Sequence, residues 1–490
     1  MPLILPGNVA SATATTYSVA NSCRFNSGDS AYMTKALGTP SSQKQFTFSA
    51  WIKRGVLGAS MSYFSAGSNG DSVYTSYRFE STNVTQVEVN ASGGDTLQTD
   101  QLFRDAAAWY HVVITVDTPN AVEADRIRFY VNGTRLTGPW NEEGYPAQDD
   151  DIASLASGEA IEIGRRIRDG AMYFDGYMAD VVFCDGQAYD ASDYGEFDSD
   201  SPTIWKPKDP SGLTFGNNGF WLDFEDSANL GNDANGGTDL TESNLDATDQ
   251  ATDTPTNNFC TMNPLDNYHY GSTFSQGNCY VVTNAGNKTW NTSTIALTTG
   301  KWYWETEVAV LTSSWEVGIA PRVSESSTEK LGDTATTYSF EIEDGATADG
   351  HNVGGVITDL RIDSNDVNDR DGARGDILSF YLDLDNNLIY YAHNGNILNS
   401  GTGIAITAPA STIHGHYFIA CGDHGAGACQ MGFNFGGCAA WYDAVSSAVS
   451  DANGYGNFEY DPSRGGASDF DSSAKDFLAI CTKNLGSDGG

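Results

Sequence analysis

The sequence predicts an all-β protein made of two antiparallel β-sandwich domains joined by an irregular connector. Three observations support this fold class. Apolar and polar residues alternate with a period of two in many short segments, which is typical of half-buried strands. Glycine is abundant, at 53 of 490 residues, and helical periodicity is nearly absent. The alternating segments fall into two blocks, and the chain is too long for a single hydrophobic core.

In the first block, strands are predicted at FTFSAWIK (46–53) and WYHVVITVD (109–117), each with four aligned residues forming its inner face. RIRFYVNGTRL (126–136) then breaks at an Asn-Gly dipeptide, which predicts a hairpin whose tight turn needs positive φ angles. Further strands are predicted at AIEIGRRI (160–167) and YFDGYMADVVFCDGQAYD (173–190). Successive strands without helices between them indicate antiparallel sheets stacked as a sandwich.

The second block repeats this pattern. GKWYWETEVAV (300–310) places Trp302 and Trp304 on one face, and SSWEVGIAP (313–321) is its predicted partner strand. GDILSFYLDLDNNLIYYAHNG (375–395) forms a hairpin and ends at a second Asn-Gly dipeptide. Between the blocks, residues 196–270 are rich in Asp, Asn, Thr, Gly and Pro, which predicts an extended connector with one strand.

The chain is strongly acidic, with a formal net charge of −39. Phosphate binding needs clustered Lys and Arg, so we expect no nucleic-acid partner. No segment reaches the roughly 18 apolar residues of a membrane span, so we expect no membrane insertion. The start lacks a basic region and a long apolar run, which predicts synthesis in a cytosol. The eight cysteines show no CxxC spacing, and we expect them to be reduced and buried.

Several strings resemble known families. The order FTFSAWIK, WYHVVITVD, FYVNGTRL, EIGRR, FDGYMADVVFCDGQAYD resembles the laminin-G/concanavalin A-like jelly roll over roughly residues 20–195. KWYWE, GDIL, LDLDNN and a late NFG in the second block resemble a SPRY domain. GFWLDF (219–224) and DQATDTPTNNFCTMNP (249–264) resemble a signature of tailed-bacteriophage virion proteins, although LGNDANGGTDLT between them departs from it.

These resemblances imply a domain plan. An N-terminal arm at 1–20 attaches to the virion, and a laminin-G/concanavalin A-like jelly roll occupies 21–195. A connector strap follows at 196–270, and a SPRY-like β-sandwich occupies 271–490. The last part of this sandwich domain, 456–484, is called the closing segment.

The same resemblances imply a function and a location. The chain would be a non-enzymatic phage surface protein, a tail fibre or appendage-type adhesin, made in the host cytoplasm and displayed on the virion. Its partners would be other virion proteins and a host-surface glycan or protein, and analogy implies a trimeric homo-oligomer. Two alternatives stay open: a capsid or tail decoration protein that contacts only virion proteins, and a polysaccharide depolymerase.

The loop TGPWNEEGYPAQDDDI (137–152) is the predicted contact surface. Trp140 and Tyr145 lie among acids and outside any strand pattern, and exposed aromatic rings stack on sugars or on protein partners. Three consecutive acids could hold a cation: Asp149, Asp150 and Asp151. The alternative is a loop whose aromatic side chains fold back on the edge of the sandwich.

DLDNN (383–387) is a second candidate cation site. Asp383, Asp385 and Asn387 alternate as at the start of a calcium loop, but the Gly and Glu that an EF-hand needs further on are missing. The alternative is a hairpin turn, because Asp and Asn are frequent turn residues. We expect no cofactor other than this possible Ca²⁺.

Catalysis would require paired carboxylates on one face of a strand. Glu305 with Glu307, and Glu341 with Glu343, are the two such pairs. The E-x-D-x-E strand of jelly-roll glycosidases is missing, and solvent-facing acids on an outer sheet would give the same pattern. We therefore expect no enzyme activity.

STIHGHYFIACGDHGAGAC (411–429) contains five His and Cys residues that can bind zinc, but without a recognised zinc spacing. An ordinary strand–loop–strand is the alternative, and a pairing of the two cysteines is a further one. The five residues are His414, His416, Cys421, His424 and Cys429.

Overall fold

The structure is a computed structural model. It describes residues 17–89, 95–199, 201–267, 271–284, 286, 288–312, 314–326, 328–343, 349–362, 375–440, 444–446, 448–463 and 476–488. Most of the predicted N-terminal arm therefore lies outside the described residues. The chain divides into two compact units. The first is Ala14–Thr256, and the second includes Asn257–Gly490.

Strands dominate both units, which confirms the predicted all-β fold class. The two α-helices among the described residues are short, α1 at Ala191–Tyr194 and α2 at Thr482–Asp488. In this part of the chain, no helix is long and apolar enough to cross a membrane. All eight cysteine side chains are buried, as predicted.

The strands of the first unit, in chain order, are β1 Ser22–Phe25, β2 Tyr32–Ala36, β3 Gln45–Arg54, β4 Met61–Gly67, β5 Thr75–Phe79, β6 Thr85–Glu88, β7 Thr96–Thr99, β8 Trp109–Asp117, β9 Ile127–Val131, β10 Thr134–Arg135, β11 Trp140–Glu143, β12 Ala160–Ile163, β13 Gly176–Asp185, β14 Gly195–Phe197, β15 Trp205–Pro207, β16 Phe220–Leu222, β17 Thr241–Ser243 and β18 Gln250–Ala251.

These strands form two antiparallel sheets. Sheet A has the order β10-β9-β8-β3-β13-β1-β18, with β16 beside β13. Sheet B has the order β11-β7-β6-β5-β4-β12-β2-β17, and β14 pairs only with β15. Phe46, Phe48 and Ile52 of sheet A pack with Tyr63 and Phe64 of sheet B in one buried cluster. The predicted inner face of 46–53 is therefore the face that forms the core.

The predicted Asn-Gly hairpins are both present. Asn132 and Gly133 have φ values of 47° and 76°, and Thr134 pairs with Val131 across the turn. Asn394 and Gly395 repeat this geometry in the second unit, with φ values of 45° and 75°. Both turns need left-handed backbone at two successive residues, which Asn and Gly adopt at low cost.

The predicted connector, residues 196–270, is divided between the two units. Its strands β16, β17 and β18 pair with β13, β2 and β1 of the first unit. Asp253, in the TDTPTNN string, accepts a hydrogen bond from buried Lys53 at 2.7 Å and one from Trp109 Nε1 at 3.1 Å. The string therefore anchors the end of the first unit to its sheet A, and Asn257 begins the second unit.

The strands of the second unit are β19 Thr273–Ser275, β20 Tyr280–Val282, β21 Thr289–Leu297, β22 Lys301–Val310, β23 Ser314–Ala320, β24 Tyr338–Glu343, β25 Asp349–Val353, β26 Val356–Ile362, β27 Ile377–Asp383, β28 Leu388–His393, β29 Asn396–Ile397, β30 Ile404–Ala405, β31 Tyr417–Asp423, β32 Gln430–Asn434 and β33 Leu478–Ala479.

This unit is also a sandwich. Sheet C has the order β19-β20-β32-β22-β27-β28-β29, with β30 beside β28 and the short β33 parallel to β22. Sheet D has the order β21-β31-β23-β24-β25-β26. Trp302, Trp304 and Phe380 of sheet C pack with Trp315 and Phe340 of sheet D in the main core. The second predicted sandwich is therefore present.

The outer face of sheet C is also covered. Tyr303 and Tyr381 on that face pack with Phe458 and Phe477 of the closing segment in a separate buried cluster. The interpretation of the acids on this face as solvent-facing is therefore wrong, because Glu305 and Glu307 are fully buried. Segments that are distant in sequence, among them the closing segment, cover these two acids and shield them from water.

Candidate functional site

The predicted contact loop lies at one edge of sheet B. Trp140 begins β11, which pairs with β7, so the expectation that it lies outside any strand is wrong. Trp140 and Tyr145 are partly buried and pack against the core of the first unit. Tyr145 donates a hydrogen bond to Glu143 at 3.1 Å, and burial together with this carboxylate raises the pKa of Tyr145 to about 12. The structure thus gives both rings one packed side and one accessible side.

The three acids that follow do not converge. The Asp149 side chain is 63% exposed, with φ of 64°, and its Oδ1 lies 3.8 Å from Lys44 Nζ. Asp150 uses its main-chain oxygen to accept a hydrogen bond from Thr118 at 2.7 Å, and Asp151 is exposed. Among the described residues, these three carboxylates therefore do not form a cation site.

The candidate calcium residues close a hairpin turn. Asp383 is buried and accepts hydrogen bonds from the backbone and side-chain nitrogens of Asn386 at 2.9 and 2.8 Å. Asp385 accepts one from the Gly300 backbone at 2.8 Å. Asn387 has φ of 57°, as a turn residue does. Both carboxylate oxygens of Asp383 and one of Asp385 are therefore already used by protein donors.

The five candidate zinc ligands are not brought together. His414 and His416 stack on each other, with ring centroids 5.8 Å apart. Cys421 and Cys429 are part of the core of the second unit. His424 lies elsewhere, beside a carboxylate that the sequence analysis did not select, Glu316.

The first E-x-E pair serves packing. Glu305 accepts hydrogen bonds from Tyr303 at 2.7 Å and from the backbone nitrogens of Glu459 and Tyr460 at 3.0 and 2.7 Å. Glu305 therefore ties the closing segment to sheet C. Glu307 accepts a hydrogen bond from the Gly375 backbone at 2.8 Å. Buried acids held by protein donors in this way are not accessible to a substrate.

Two acids meet on the outer face of sheet D. Glu316 on β23 and Glu341 on β24 are directly opposite each other in the antiparallel register. Their neighbours in sequence, such as Trp315 and Phe340, point into the core. Like charges that face each other across two strands repel, so a proton or a nearby cation stabilises this arrangement.

A histidine and a lysine side chain complete this cluster. His424 Nδ1 lies 2.5 Å from Glu316 Oε1. Lys330 Nζ lies 2.7 Å from Glu341 Oε1 and 3.9 Å from Glu316 Oε1. Asn352 donates a hydrogen bond to the other oxygen of Glu341 at 2.5 Å. We call Glu316, Glu341, Lys330 and His424 the sheet D cluster.

The sheet D cluster is shielded from water. Glu316 and Glu341 are buried, whereas the side chains of His424 and Lys330 are 15% and 13% exposed. Burial raises the pKa of Glu316 to about 7, although the hydrogen bond with His424 acts to lower it. Burial alone would lower the pKa of His424, but Glu316 outweighs it and raises that pKa. The two groups are in contact, so their titrations are coupled.

Sequence reasoning selected Glu341 and His424 but missed Glu316 and Lys330. Alternation in SSWEVGIAP does place Glu316 on the face opposite Trp315. No local signal shows that β23 and β24 pair in the register that aligns the two acids. Lys330 lies in the long segment between these strands, where no periodic pattern exists.

The comparisons with known proteins concern the fold. Residues 26–190 match a family model described as the concanavalin A-like lectin/glucanases superfamily. The first unit has a laminin-G/concanavalin A-like fold. The matched residues include β2 to β13 and the whole contact loop. No curated protein sequence matched the chain.

Solved structures with related folds include domains LG4-5 of the mouse laminin alpha1 chain. That likeness covers 88% of this chain and 90% of that chain, at 9% identity and a TM-score of 0.30. The SPRY domain of human HERC1 is similar over 36% of this chain and 98% of its own, at 12% identity and a TM-score of 0.26. A heptameric SAP-like pentraxin from Limulus polyphemus is similar over 36% and 80%, at 16% identity and a TM-score of 0.27.

Proposed function

We propose that this protein is a non-enzymatic surface protein of a bacteriophage particle that binds a host-surface glycan through the loop at 137–152. The observation that carries the proposal is that the loop has two partly exposed aromatic side chains packed against the core of the unit that matches a lectin/glucanase family model. Trp140 and Tyr145 are these side chains, and the Tyr145 hydroxyl donates a hydrogen bond to the exposed Glu143.

The geometry of the loop suits a sugar ligand. Because the inner sides of Trp140 and Tyr145 pack on the core, the rings are held in place before a ligand arrives, which lowers the entropic cost of binding. The accessible side of each ring offers a flat apolar surface to the C–H face of a pyranose. Glu142 and Glu143, between the two rings in sequence, are exposed and provide acceptors for sugar hydroxyl groups.

The state of three of the four paired acids supports binding without catalysis. Glu305 and Glu307 are buried and accept hydrogen bonds from the protein, and Glu341 is engaged by Lys330 and Asn352. A glycosidase needs one carboxylic acid and one carboxylate on either side of an accessible substrate bond. None of these three side chains is placed to meet that requirement.

The assignment to a phage particle rests on the strings at 219–224 and 249–264, which resemble tailed-phage virion proteins. In the structure the first of these strings contributes β16, and the second contributes β18 and the Asp253 anchor. The alternative within the same class is a decoration protein that contacts only other virion proteins.

Binding of the purified full chain to host surface polysaccharide and to intact host cells tests the proposal. We expect saturable binding that blocks phage adsorption. Trp140→Ala and Tyr145→Ala should each weaken glycan binding about tenfold, the effect of losing one stacking contact worth about 1.4 kcal/mol. Phe197→Ala is the matched control, because Phe197 is an aromatic residue of the same unit, 46% exposed, outside the loop.

Three outcomes would contradict the proposal. Equal losses for Phe197→Ala and for the two loop variants would remove the loop from the binding site. Release of reducing sugar from the polysaccharide would make the protein an enzyme. Failure to bind cells, together with co-purification with shells that lack tails, would favour the decoration protein.

A further inference from the structure

We propose that Glu316, Glu341 and His424 bind one divalent cation of the Zn²⁺ class, and that Lys330 takes the place of this ion when it is absent. The site would lie on the outer face of sheet D in the second unit. It is independent of the sugar-binding loop proposed above.

The geometry satisfies the first requirement of a metal site. One ligating atom from each of the three residues lies within 4.8 Å of the other two, and this is the only such group of three among the residues that the structure describes. Glu316 and Glu341 are fixed by pairing of adjacent strands, and His424 directly follows β31. Gly422 lies opposite Glu316 on β31, so no side chain separates this acid from the imidazole.

A second observation points to a missing ligand. Glu316 Oε2 is buried and has no hydrogen-bond partner, although Glu316 Oε1 contacts His424. Buried carboxylate oxygens almost always have a partner, because an unpaired one loses its hydration without compensation. A cation between Glu316 and Glu341 would supply that partner.

Lys330 shows that a positive charge already occupies this position. Its ammonium lies 2.7 Å from Glu341 and 3.9 Å from Glu316, within reach of both carboxylates. The Lys330 backbone is held separately, by a hydrogen bond from its nitrogen to Asp333 at 3.1 Å. Its side chain is partly exposed and can therefore move to solvent while the backbone stays in place.

The donor set selects the class of ion. One imidazole nitrogen and two carboxylate oxygens suit Zn²⁺ and related first-row ions, whereas Ca²⁺ prefers six or more oxygens. Three protein ligands leave a fourth tetrahedral position for water or a partner group. Binding requires the neutral form of the His424 imidazole.

Zn²⁺ titration of the purified full chain, against a chromophoric chelator at pH 7.5, tests the proposal. We expect one equivalent to bind. His424→Ala and Glu316→Gln should weaken this binding at least about a hundredfold, since each removes a ligand. Lys330→Met should strengthen it about tenfold, because it removes the competing cation. Near-ultraviolet circular dichroism establishes that each variant is folded.

His393→Ala is the matched control, because His393 is also a partly exposed histidine bound to one carboxylate, Asp376, at 2.8 Å. The His393→Ala variant should bind Zn²⁺ as tightly as the natural chain does. The proposal is wrong if the natural chain binds no Zn²⁺, even if Lys330→Met does. It is also wrong if folded His424→Ala binds as the natural chain does, or if Lys330→Met weakens binding.

Discussion

Asp180 gives the sharpest test of the electrostatics of the first unit. It lies in β13 at an irregularity of the pairing with β3, and its φ of 44° places it in left-handed backbone. Its carboxyl group is buried and accepts hydrogen bonds from Tyr17 at 3.0 Å and Trp221 Nε1 at 3.1 Å. Burial raises the pKa of Asp180 from 3.8 to about 7, against these hydrogen bonds.

Because the pKa of Asp180 is raised in the folded state, its contribution to stability falls as the pH rises. The folded state holds the Asp180 proton more tightly than the unfolded state does, so its stabilising effect is complete below pH 3.8 and is lost as the pH rises through about 7. Each pH unit in this interval removes about 1.4 kcal/mol. The wild-type unit should therefore lose about 4 kcal/mol of its free energy of unfolding through this one group.

Asp180→Asn removes the titration and keeps the geometry. Asn tolerates left-handed backbone, and its amide can accept from Trp221 and donate to the Tyr17 oxygen. At pH 8 we expect the variant to exceed the wild type by about 4 kcal/mol, with the difference falling towards zero at pH 4. Urea unfolding at each pH, followed by pulsed hydrogen exchange in peptides of β3 and β13, measures this.

Asp149→Asn is the matched control, because Asp149 also has positive φ but is exposed. It should leave the pH dependence unchanged. A difference between Asp180→Asn and wild type that does not vary with pH would refute the reasoning. So would a wild type that is the more stable protein at pH 8.

Two further predictions concern the packing of the first unit. Lys53→Met leaves the buried Asp253 carboxylate without its cation and should lower the free energy of unfolding by about 3–5 kcal/mol in the same assay. The double variant, Lys53→Met with Asp253→Leu, should recover most of this lost free energy. Gly133→Ala should cost about 2–4 kcal/mol, because φ is 76° and the added Cβ would lie 2.3 Å from the Trp205 ring. Gly236→Ala is the control, because Gly236 has φ of 82° but open space around it, and it should cost only about 1–2 kcal/mol. Equal losses of stability for Gly133→Ala and Gly236→Ala would exclude the contact with Trp205 as the cause.

Local alternation was enough to identify the strands that form the cores. The inner face of 46–53 and the pattern of Trp302 and Trp304 in 300–310 were both confirmed. The two Asn-Gly hairpins were confirmed for the same reason, because a tight turn is decided by the residues within it. Information of this kind lies within a few residues of chain and can be read directly from the sequence.

The candidate sites depended on contacts between distant segments. Glu305 and Glu307 look like exposed acids until the closing segment covers sheet C. Trp140 looks like a loop residue until β11 pairs with β7. In each case the alternation showed which side chains share a face, but not whether that face meets water.

The sequence by itself determined the all-β fold class, the two sandwiches and the inner faces of their strands, because a period of two is a local property of the chain. Only the tertiary structure decided that Glu316 and Glu341 face each other, with Lys330 and His424 between them and solvent. Strand register and burial are set by long-range pairing, so the position of a buried charge cannot be read from its neighbours in sequence.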